Sequence, residues 1–147
     1  MFDRIKSCGS IVFKKGKLVE YLLLQSGSRA HPGPWDFSKG EVDNDETETD
    51  TALRELKEET GIIDVHVVEG FREEISYFYN RGGKTILKTA VFFLCETKQS
   101  EVKLSWEHIA CEWLTYEKAM ERLRYPNSRK VLKKAHDLLD AGVQLRF

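Results

Sequence analysis

The sequence predicts an α/β (α+β) fold in which a mixed β-sheet is packed between helices. Three observations predict it: β-rich segments at the start of the chain, one acidic amphipathic helix after them, and a long β-rich hairpin followed by helical segments. This order is typical of a sheet with a helix on each face. The 147 residues are enough for a hydrophobic core, and we predict a single domain over residues 1–147.

Two apolar, β-rich segments predict a hairpin at the N-terminus. They cover residues 7–13 and 19–24, and the sequence KKGK between them is typical of a turn. The run Leu22–Leu24 indicates a central strand that is buried on both faces. Residues 25–34 are rich in Gly, Ser and Pro and are predicted to form a loop.

Residues 47–60 predict the first helix. Thr47 with Asp50 three residues later resembles a capping box, and Gly61 is suited to end the helix in the left-handed conformation. At about 100° per residue, one side of this helix is apolar and would dock on a core. That side carries Thr49, Ala52, Leu53 and Leu56.

The second half of the chain predicts a long hairpin over residues 65–95, with its turn at Asn80–Gly83. A polar loop, a strand over 110–114 and a short helix over 116–123 follow. A last helix is predicted to begin with Ser128 as its N-cap and to end at Gly142. Its inward residues would be Val131, Leu132, Ala135, Leu138 and Leu139.

Composition restricts the class of protein. Hydrophobic residues make up 41% and charged residues 32% of the chain, and the net charge is -1, so no global field favours nucleic acid or a membrane surface. No apolar run approaches the ~20 residues of a membrane helix. Cys8, Cys95 and Cys111 show no CxxC spacing, and we predict free thiols in a reducing cytoplasm.

The first helix and the segment before it are strongly acidic. Nine of the 19 residues from 41 to 59 are acidic, and only two are basic. On the helix, Glu55, Glu58 and Glu59 lie at i, i+3 and i+4, where like charges repel one another. A hard divalent cation removes this repulsion, and carboxylate and carbonyl oxygens suit Mg²⁺ or Mn²⁺. A solvated helix face is the alternative.

A fixed pattern of nine residues runs through the same segment. Its positions are Gly40, Glu46, Arg54, Glu55, Leu56, Glu58, Glu59, Gly61 and Ile62. They match every fixed position of the signature of the Nudix hydrolases, and the chain therefore resembles this family. The resemblance implies an α/β/α sandwich and the Mg²⁺-dependent hydrolysis, by water, of nucleoside diphosphates linked to another moiety.

The resemblance also implies roles for individual residues. Mg²⁺, with Mn²⁺ as a substitute, would be bound by Glu55, Glu58, Glu59 and the backbone carbonyl of Gly40. Arg54 would orient these glutamates. Beside Gly40, Lys39 can reach a phosphate. Similar members carry Pro before the Lys-Gly pair and Pro-Gly before the first Glu, whereas this chain has Ser38 and Asn44-Asp45.

A looser resemblance lies outside the signature. The stretches GFREEISYFY, KTAVFF and LSWEHIACEWL are similar to the asymmetrical diadenosine tetraphosphate hydrolases. In that subfamily, a Tyr at the Tyr77 position stacks on adenine and a Lys at the Lys88 position contacts phosphates. A Glu at the Glu107 position binds the metal or lies near it. Trp35, just before the signature, is a further candidate for substrate contact.

Each of these four residues also has an ordinary structural interpretation. Tyr77 can be a cross-strand or core aromatic, and Trp35 can be a core or lid aromatic. Lys88 interrupts an apolar strand, where a single Lys usually points to solvent, and Glu107 can be a surface carboxylate of a loop.

The resemblance implies attack of water on an outer phosphorus, so that diadenosine tetraphosphate yields ATP and AMP. Glu58 is the first candidate for the general base and Glu107 the second. The expected partner is a nucleotide substrate, with no membrane, and the chain is expected to be a monomer or a dimer.

Other functions remain open at this stage. An RNA 5′-pyrophosphohydrolase is the closest alternative, because residues 114–147 carry eight Lys/Arg against four Asp/Glu, and RNA is an expected partner only in that case. Oxidised-nucleotide and ADP-ribose hydrolysis are further enzymatic alternatives. A non-catalytic nucleotide-binding sensor is the alternative outside enzymes.

Overall fold

The computed structural model describes residues 2–144. Its helices and strands follow the predicted order, with two short strands added before the first helix. They are β1 (Asp3–Lys15), β2 (Val19–Gly27), β3 (Pro32–Asp36), β4 (Ser38–Glu41), α1 (Glu48–Thr60), β5 (His66–Arg81), β6 (Lys84–Glu96), β7 (His108–Thr115), α2 (Tyr116–Arg122) and α3 (Pro126–Gln144).

The seven strands form one mixed sheet. Its main path is β3-β2-β1-β6-β5, while β4 pairs with β1 and β7 pairs with β2. β1 and β6 are parallel and the other pairs are antiparallel. β1 pairs with β4 through residues 7–10 and with β2 through residues 13–15. β4, which contains the first signature residue Gly40, therefore joins the sheet beside the central strand β1.

A separate apolar core covers each face of the sheet. One core joins β1 and β2 residues such as Val12 and Leu22 to Ala52 and Leu56 of α1. The other joins Ile11, Phe13, Leu23 and neighbouring strand residues to Ala119 of α2 and to Val131, Leu132 and Ala135 of α3. The predicted α/β/α sandwich is confirmed, and Leu22–Leu24 are buried on both faces as predicted.

The ends of α1 follow the sequence prediction. The Thr47 side chain accepts a hydrogen bond of 3.1 Å from the Asp50 amide, and Gly61 adopts a φ of 74°. The Gly61 amide donates to the Lys57 carbonyl. This arrangement satisfies backbone groups at both ends of the helix that carries the carboxylates.

The predicted loop over residues 25–34 is wrong at both ends. β2 continues to Gly27, and Pro32–Asp36 form β3, which pairs with β2. β3 lies at the edge of the sheet, where a strand tolerates Pro because one side needs no amide donor. Because Pro32 and Pro34 are typical of loops, the sequence pattern predicts a loop where the structure has a strand.

The last helix also differs from its prediction. It begins at Pro126, two residues before Ser128, and continues through Gly142. Proline is favoured in the first turn of a helix, because its missing amide is not needed there. Leu138 was expected inside but is 39% exposed. None of the helices within residues 2–144 is both long and apolar enough to cross a membrane.

Candidate active site

A cavity of about 780 Å³ opens on the sheet between β5, β6 and the first turn of α3. Carboxylates, cationic side chains and aromatic rings all line it. The lining residues are Leu24, Ser26, Pro34, Asp36, Phe37, Lys39, Glu59, Ile75, Tyr77, Tyr79, Arg81, Lys88, Ala90, Phe92, Glu107, His108, Tyr125, Pro126, Asn127 and Ser128. Five of the residues predicted from the sequence therefore lie around one space: Lys39, Glu59, Tyr77, Lys88 and Glu107.

Glu59 lies at the cavity end of α1 and is buried, with only 5% of its surface exposed. The Ser38 hydroxyl donates a hydrogen bond of 2.6 Å to its Oε1 atom. The pKa of Glu59 is raised to about 7, mainly by burial and also by the charges of Glu55 and Glu107, against the opposing hydrogen bond from Ser38. The apolar side predicted for α1 does not include Glu59, yet this side chain is buried, because β4 covers this end of the helix.

Glu55 lies beside Gly40, where β4 passes close to α1. A Cβ atom on Gly40 would overlap the carboxylate of Glu55, so any larger residue here would displace the Glu55 side chain. Burial raises the pKa of Glu55, as do the nearby charges of Glu58 and Glu107, while Arg54 opposes the shift. The carboxylates of this region therefore repel one another in the absence of a cation.

Arg54 connects the acidic groups at the surface of α1. Its guanidinium donates hydrogen bonds to Glu46 at 2.8 Å, to Glu55 at 2.9 Å and to Glu58 at 3.2 Å, and to the Glu41 carbonyl at 3.1 Å. Glu58 itself is exposed. Arg54 thus contacts two of the three helix glutamates, as expected for a residue that orients them.

Glu107 reaches the same region from the loop before β7. Two backbone hydrogen bonds attach this loop to the end of α1, from the Ser105 amide to the Glu59 carbonyl at 3.1 Å and from the Lys103 amide to the Thr60 carbonyl at 2.8 Å. The effect of the Glu107 charge on the pKa of Glu55 and Glu59 shows that the three carboxylates share one electrostatic environment.

Lys39 joins the carboxylate end of the cavity to α3. Its ammonium group donates to Oδ2 of Asp36 at 2.8 Å, while Oδ1 of Asp36 accepts from the Ser128 hydroxyl at 3.0 Å. Burial opposes the charge on Lys39, but Asp36 outweighs it and raises the pKa of the lysine. Ser128, predicted as the N-cap of α3, is instead a buried link to Asp36.

Tyr77 and Lys88 are directly paired across β5 and β6. Both line the cavity, and Tyr77 is 37% exposed. Burial lowers the pKa of Lys88, and the charge of Lys39 lowers it further. The alternative in which Lys88 points only to solvent does not fit its half-buried position facing a second lysine.

Among the residues predicted to bind substrate, Trp35 lies apart from Lys39, Tyr77 and Lys88. It is not among the residues that line the cavity. The guanidinium of Arg122 lies 4.6 Å from the centre of its ring, and the ring packs against the core shared with α2 and α3. The alternation of side chains along β3 directs Pro34 and Asp36 to the cavity instead. This position supports the packing role and not substrate contact.

A comparison with known families agrees with this geometry. The NUDIX domain model matches residues 5–135. The chain belongs to the Nudix hydrolase family. The mixed sheet between helices and the acidic α1 beside the cavity are thus features of a Nudix fold.

This Nudix hydrolase has similar relatives over most of its length. It is 34% identical over 146 residues to the asymmetrical bis(5′-nucleosyl)-tetraphosphatase of Mus musculus, a match that covers 92% of this chain and 95% of the relative. The Caenorhabditis elegans protein of the same name is 33% identical over 135 residues, or 88% and 93% of the two chains. A crystal structure of a C. elegans Ap4A hydrolase binary complex is 30% identical, with a TM-score of 0.81, and covers 93% and 98% of the two chains.

Nudix hydrolases generally use divalent metal ions, and the donor set of this Nudix hydrolase fits one. Glu55, Glu58 and Glu59 supply hard oxygen ligands, and their mutual repulsion is what a cation would relieve. Within residues 2–144, no three Asp, Glu, His or Cys side chains already converge on a single point. Since Arg54 donates to Glu55 and Glu58, a bound cation would compete with this arginine for their oxygens.

Sequence reasoning missed several residues that line the cavity of this Nudix hydrolase. They are Asp36, Tyr79, Arg81, His108 and Tyr125, with Asn127 and Ser128 at the start of α3. For Tyr79 and Arg81 a signal existed, because they continue the period of two from Tyr77 along a predicted strand. Tyr125 and His108 had no such signal, since only the tertiary structure brings the segment before α3 and the start of β7 to this cavity.

Proposed function

We propose that this Nudix hydrolase cleaves dinucleoside polyphosphates in a reaction that depends on Mg²⁺, with Mn²⁺ as a substitute, and converts diadenosine tetraphosphate to ATP and AMP. One observation carries the proposal: a single cavity combines carboxylates, lysines and exposed aromatic rings. A dinucleoside polyphosphate needs all three kinds of side chain. Carboxylates would bind the metal, lysines would bind the phosphates, and aromatic rings would stack on the bases. The relatives named as asymmetrical tetraphosphatases support the same choice.

The carboxylates would bind the metal. Glu55, Glu58 and Glu59 with the Gly40 carbonyl are the proposed ligands, and Glu107 lies close enough to affect the pKa of two of them. When bound, divalent cations neutralise the phosphate oxygens around the scissile phosphorus and lower the pKa of water. Arg54 would keep Glu55 and Glu58 in position through the hydrogen bonds described above.

One glutamate must accept the proton from the attacking water. Glu58 is our first choice, because it is exposed at the edge of the acidic cluster and contacts only Arg54 among the hydrogen-bond donors of the described residues. Glu107 is the second choice, since it lines the cavity from the loop that is hydrogen-bonded to the end of α1. Glu59 is less suited, because its Oε1 atom already accepts from Ser38.

The cationic and aromatic side chains would bind the substrate. Lys39 and Lys88 would contact the phosphate chain as point charges, and the repulsion between them that lowers the pKa of Lys88 would be relieved by a polyphosphate. Tyr77 would stack on one adenine, a contact that every base can make. Three free cysteines support a reducing cytoplasmic location for this reaction.

Product analysis by chromatography tests the proposal. The purified protein would be incubated with Mg²⁺ and, in parallel, with diadenosine tetraphosphate, triphosphate-ended RNA, ADP-ribose and oxidised dGTP. We expect ATP and AMP from the first substrate, at a rate well above the others. Faster release of pyrophosphate from RNA would overturn the proposal, as would metal-independent binding of nucleotide without turnover.

A further inference from the structure

The row of side chains along β5 extends beyond the residues that the proposed function uses. Tyr77, Tyr79 and Arg81 lie two positions apart along β5, and all three line the cavity. Alternate residues of a strand share one face, so these three side chains form a continuous row toward the hairpin turn. The proposed contacts with one base and with the phosphates account for Tyr77 alone.

Tyr79 and Arg81 are arranged so that a flat ligand can reach them. The rings of Tyr77 and Tyr79 are 6.2 Å apart and tilted by 44°, so Tyr79 is not covered by a stacked neighbour. The Arg81 guanidinium carbon lies 6.0 Å from the centre of the Tyr79 ring, at the outer limit of a cation–π contact. Little attraction would be lost if a planar group separated them.

The other contact of Arg81 is also weak. Its guanidinium lies 3.8 Å from a carboxylate oxygen of Glu41, and both side chains are about 60% exposed, at 61% and 59%. An ion pair of this kind is screened by solvent and contributes little. Arg81 is therefore a cation at the cavity wall that can exchange its present contact for a ligand.

The β6 residues that pair with β5 differ in chemistry between the Tyr79 end of the cavity and the phosphate-binding end. Lys88 pairs with Tyr77, whereas the apolar Ile86 pairs with Tyr79. Lys39 and Lys88, the lysines that line the cavity, therefore lie level with Tyr77 or closer to the carboxylates, whereas Lys84 pairs with Arg81 and does not line it. The level of Tyr79 offers an aromatic face, an aliphatic neighbour and one guanidinium that can stack, a combination suited to a nucleobase.

We propose that Tyr79 and Arg81 form a second nucleoside subsite, in which a base lies between the Tyr79 ring and the Arg81 guanidinium. This inference rests on the proposed function and deepens it, because a dinucleoside polyphosphate carries two bases on one phosphate chain. With one base on Tyr77 and the other at Tyr79, the phosphates fold back toward Lys88 and Lys39. The subsite would make this enzyme select dinucleoside over mononucleoside polyphosphates.

The test compares two ligands that differ in the second nucleoside. They are a methylene-bridged, non-cleavable diadenosine tetraphosphate and a mononucleoside tetraphosphate, adenosine 5′-tetraphosphate. Dissociation constants would be measured by calorimetry for the wild type, Tyr79→Ala, Arg81→Lys and the control Tyr79→Phe, which keeps the ring. Arg81→Lys keeps the charge but loses the planar group that stacks.

We expect Tyr79→Ala to weaken binding of the dinucleotide by about 5-fold to 100-fold, the range for loss of a base–aromatic stack. Binding of the mononucleotide would change less than about twofold. Arg81→Lys would show the same selectivity, and Tyr79→Phe would resemble the wild type. Equal losses for both ligands, or no loss for either, would overturn the subsite.

The result also separates this inference from the proposed function. The subsite is supported if the wild type binds the dinucleotide more tightly than the mononucleotide and Tyr79→Ala abolishes this difference. That conclusion would hold even if natural diadenosine tetraphosphate is not cleaved. That combination would overturn only the proposed reaction. A wild type that cleaves diadenosine tetraphosphate while Tyr79→Ala binds both ligands normally would overturn only the subsite.

Discussion

The Ser38 hydroxyl donates a hydrogen bond of 2.6 Å to the carboxylate of Glu59, and both side chains are buried. Proline, which similar chains carry before the Lys-Gly pair, has no hydroxyl and cannot make this bond. Ser38 is therefore the side-chain donor that helps to orient Glu59, together with the backbone of Lys39.

Ser38→Ala should weaken Mn²⁺ binding and reduce kcat, each by about 10-fold to 100-fold, as for other groups that orient metal ligands. Ser38→Thr is the matched control, because it restores the hydroxyl and should recover both values. Mn²⁺ affinity would be measured by electron paramagnetic resonance and kcat by product release. Unchanged Mn²⁺ affinity in Ser38→Ala would show that the hydrogen bond does not orient Glu59.

Glu59→Gln should stabilise the metal-free protein at high pH although it abolishes turnover. The pKa of Glu59 is raised from 4.5 to about 7, so the folded protein binds this proton more tightly than the unfolded chain. The stability that the protonated Glu59 carboxyl contributes is complete below its pKa of 4.5 in the unfolded chain, and it is lost as the pH rises through 7. The difference between the two pKa values corresponds to at most about 3 kcal/mol.

Urea unfolding in EDTA at pH 5 and pH 8.5 measures this effect. Glu59→Gln should gain stability over the wild type at the higher pH and little at the lower pH. Glu58→Gln is the control, because Glu58 is exposed and its replacement should change stability by less than about 0.5 kcal/mol at both pH values. A Glu59→Gln variant that is less stable at pH 8.5 would contradict the prediction.

Glu58→Gln should reduce kcat by at least about 100-fold if Glu58 is the general base, with little change in KM. Glu107→Gln provides the comparison, since it removes the second candidate, which lies on the loop before β7. The pH profile of kcat distinguishes them, because removal of the base eliminates the loss of activity at low pH. Normal turnover in Glu58→Gln would exclude Glu58 both as base and as metal ligand.

Tyr77→Ala should raise KM for diadenosine tetraphosphate by about 5-fold to 100-fold while kcat changes less, because stacking binds the base without contacting the reacting atoms. Tyr77→Phe should retain most of the affinity. Thermal unfolding of Tyr77→Ala should remain close to that of the wild type, since the ring is 37% exposed. Lower stability with an unchanged KM would favour a packing role for Tyr77.

Much of the fold could be predicted because local patterns and the tertiary structure agree. The caps of α1, the β5–β6 hairpin and the burial of Leu22–Leu24 follow from residue type and period. The β3 strand could not be predicted, since its prolines are acceptable only at a sheet edge. The burial of Trp35 and Glu59 could not be predicted for a related reason, because the position of β3 and β4 decides which side chains are covered.

The sequence by itself determined the helix, its caps and the spacing of the carboxylates, since these depend on neighbours three or four residues apart. It also determined the family, through nine positions of one continuous segment. Only the tertiary structure decided which carboxylate is buried, how Asp36 connects Lys39 to Ser128, and that Tyr79 and Arg81 share the cavity with Glu107. Burial, pKa and the shape of a cavity depend on segments far apart in the chain, and no local pattern contains them.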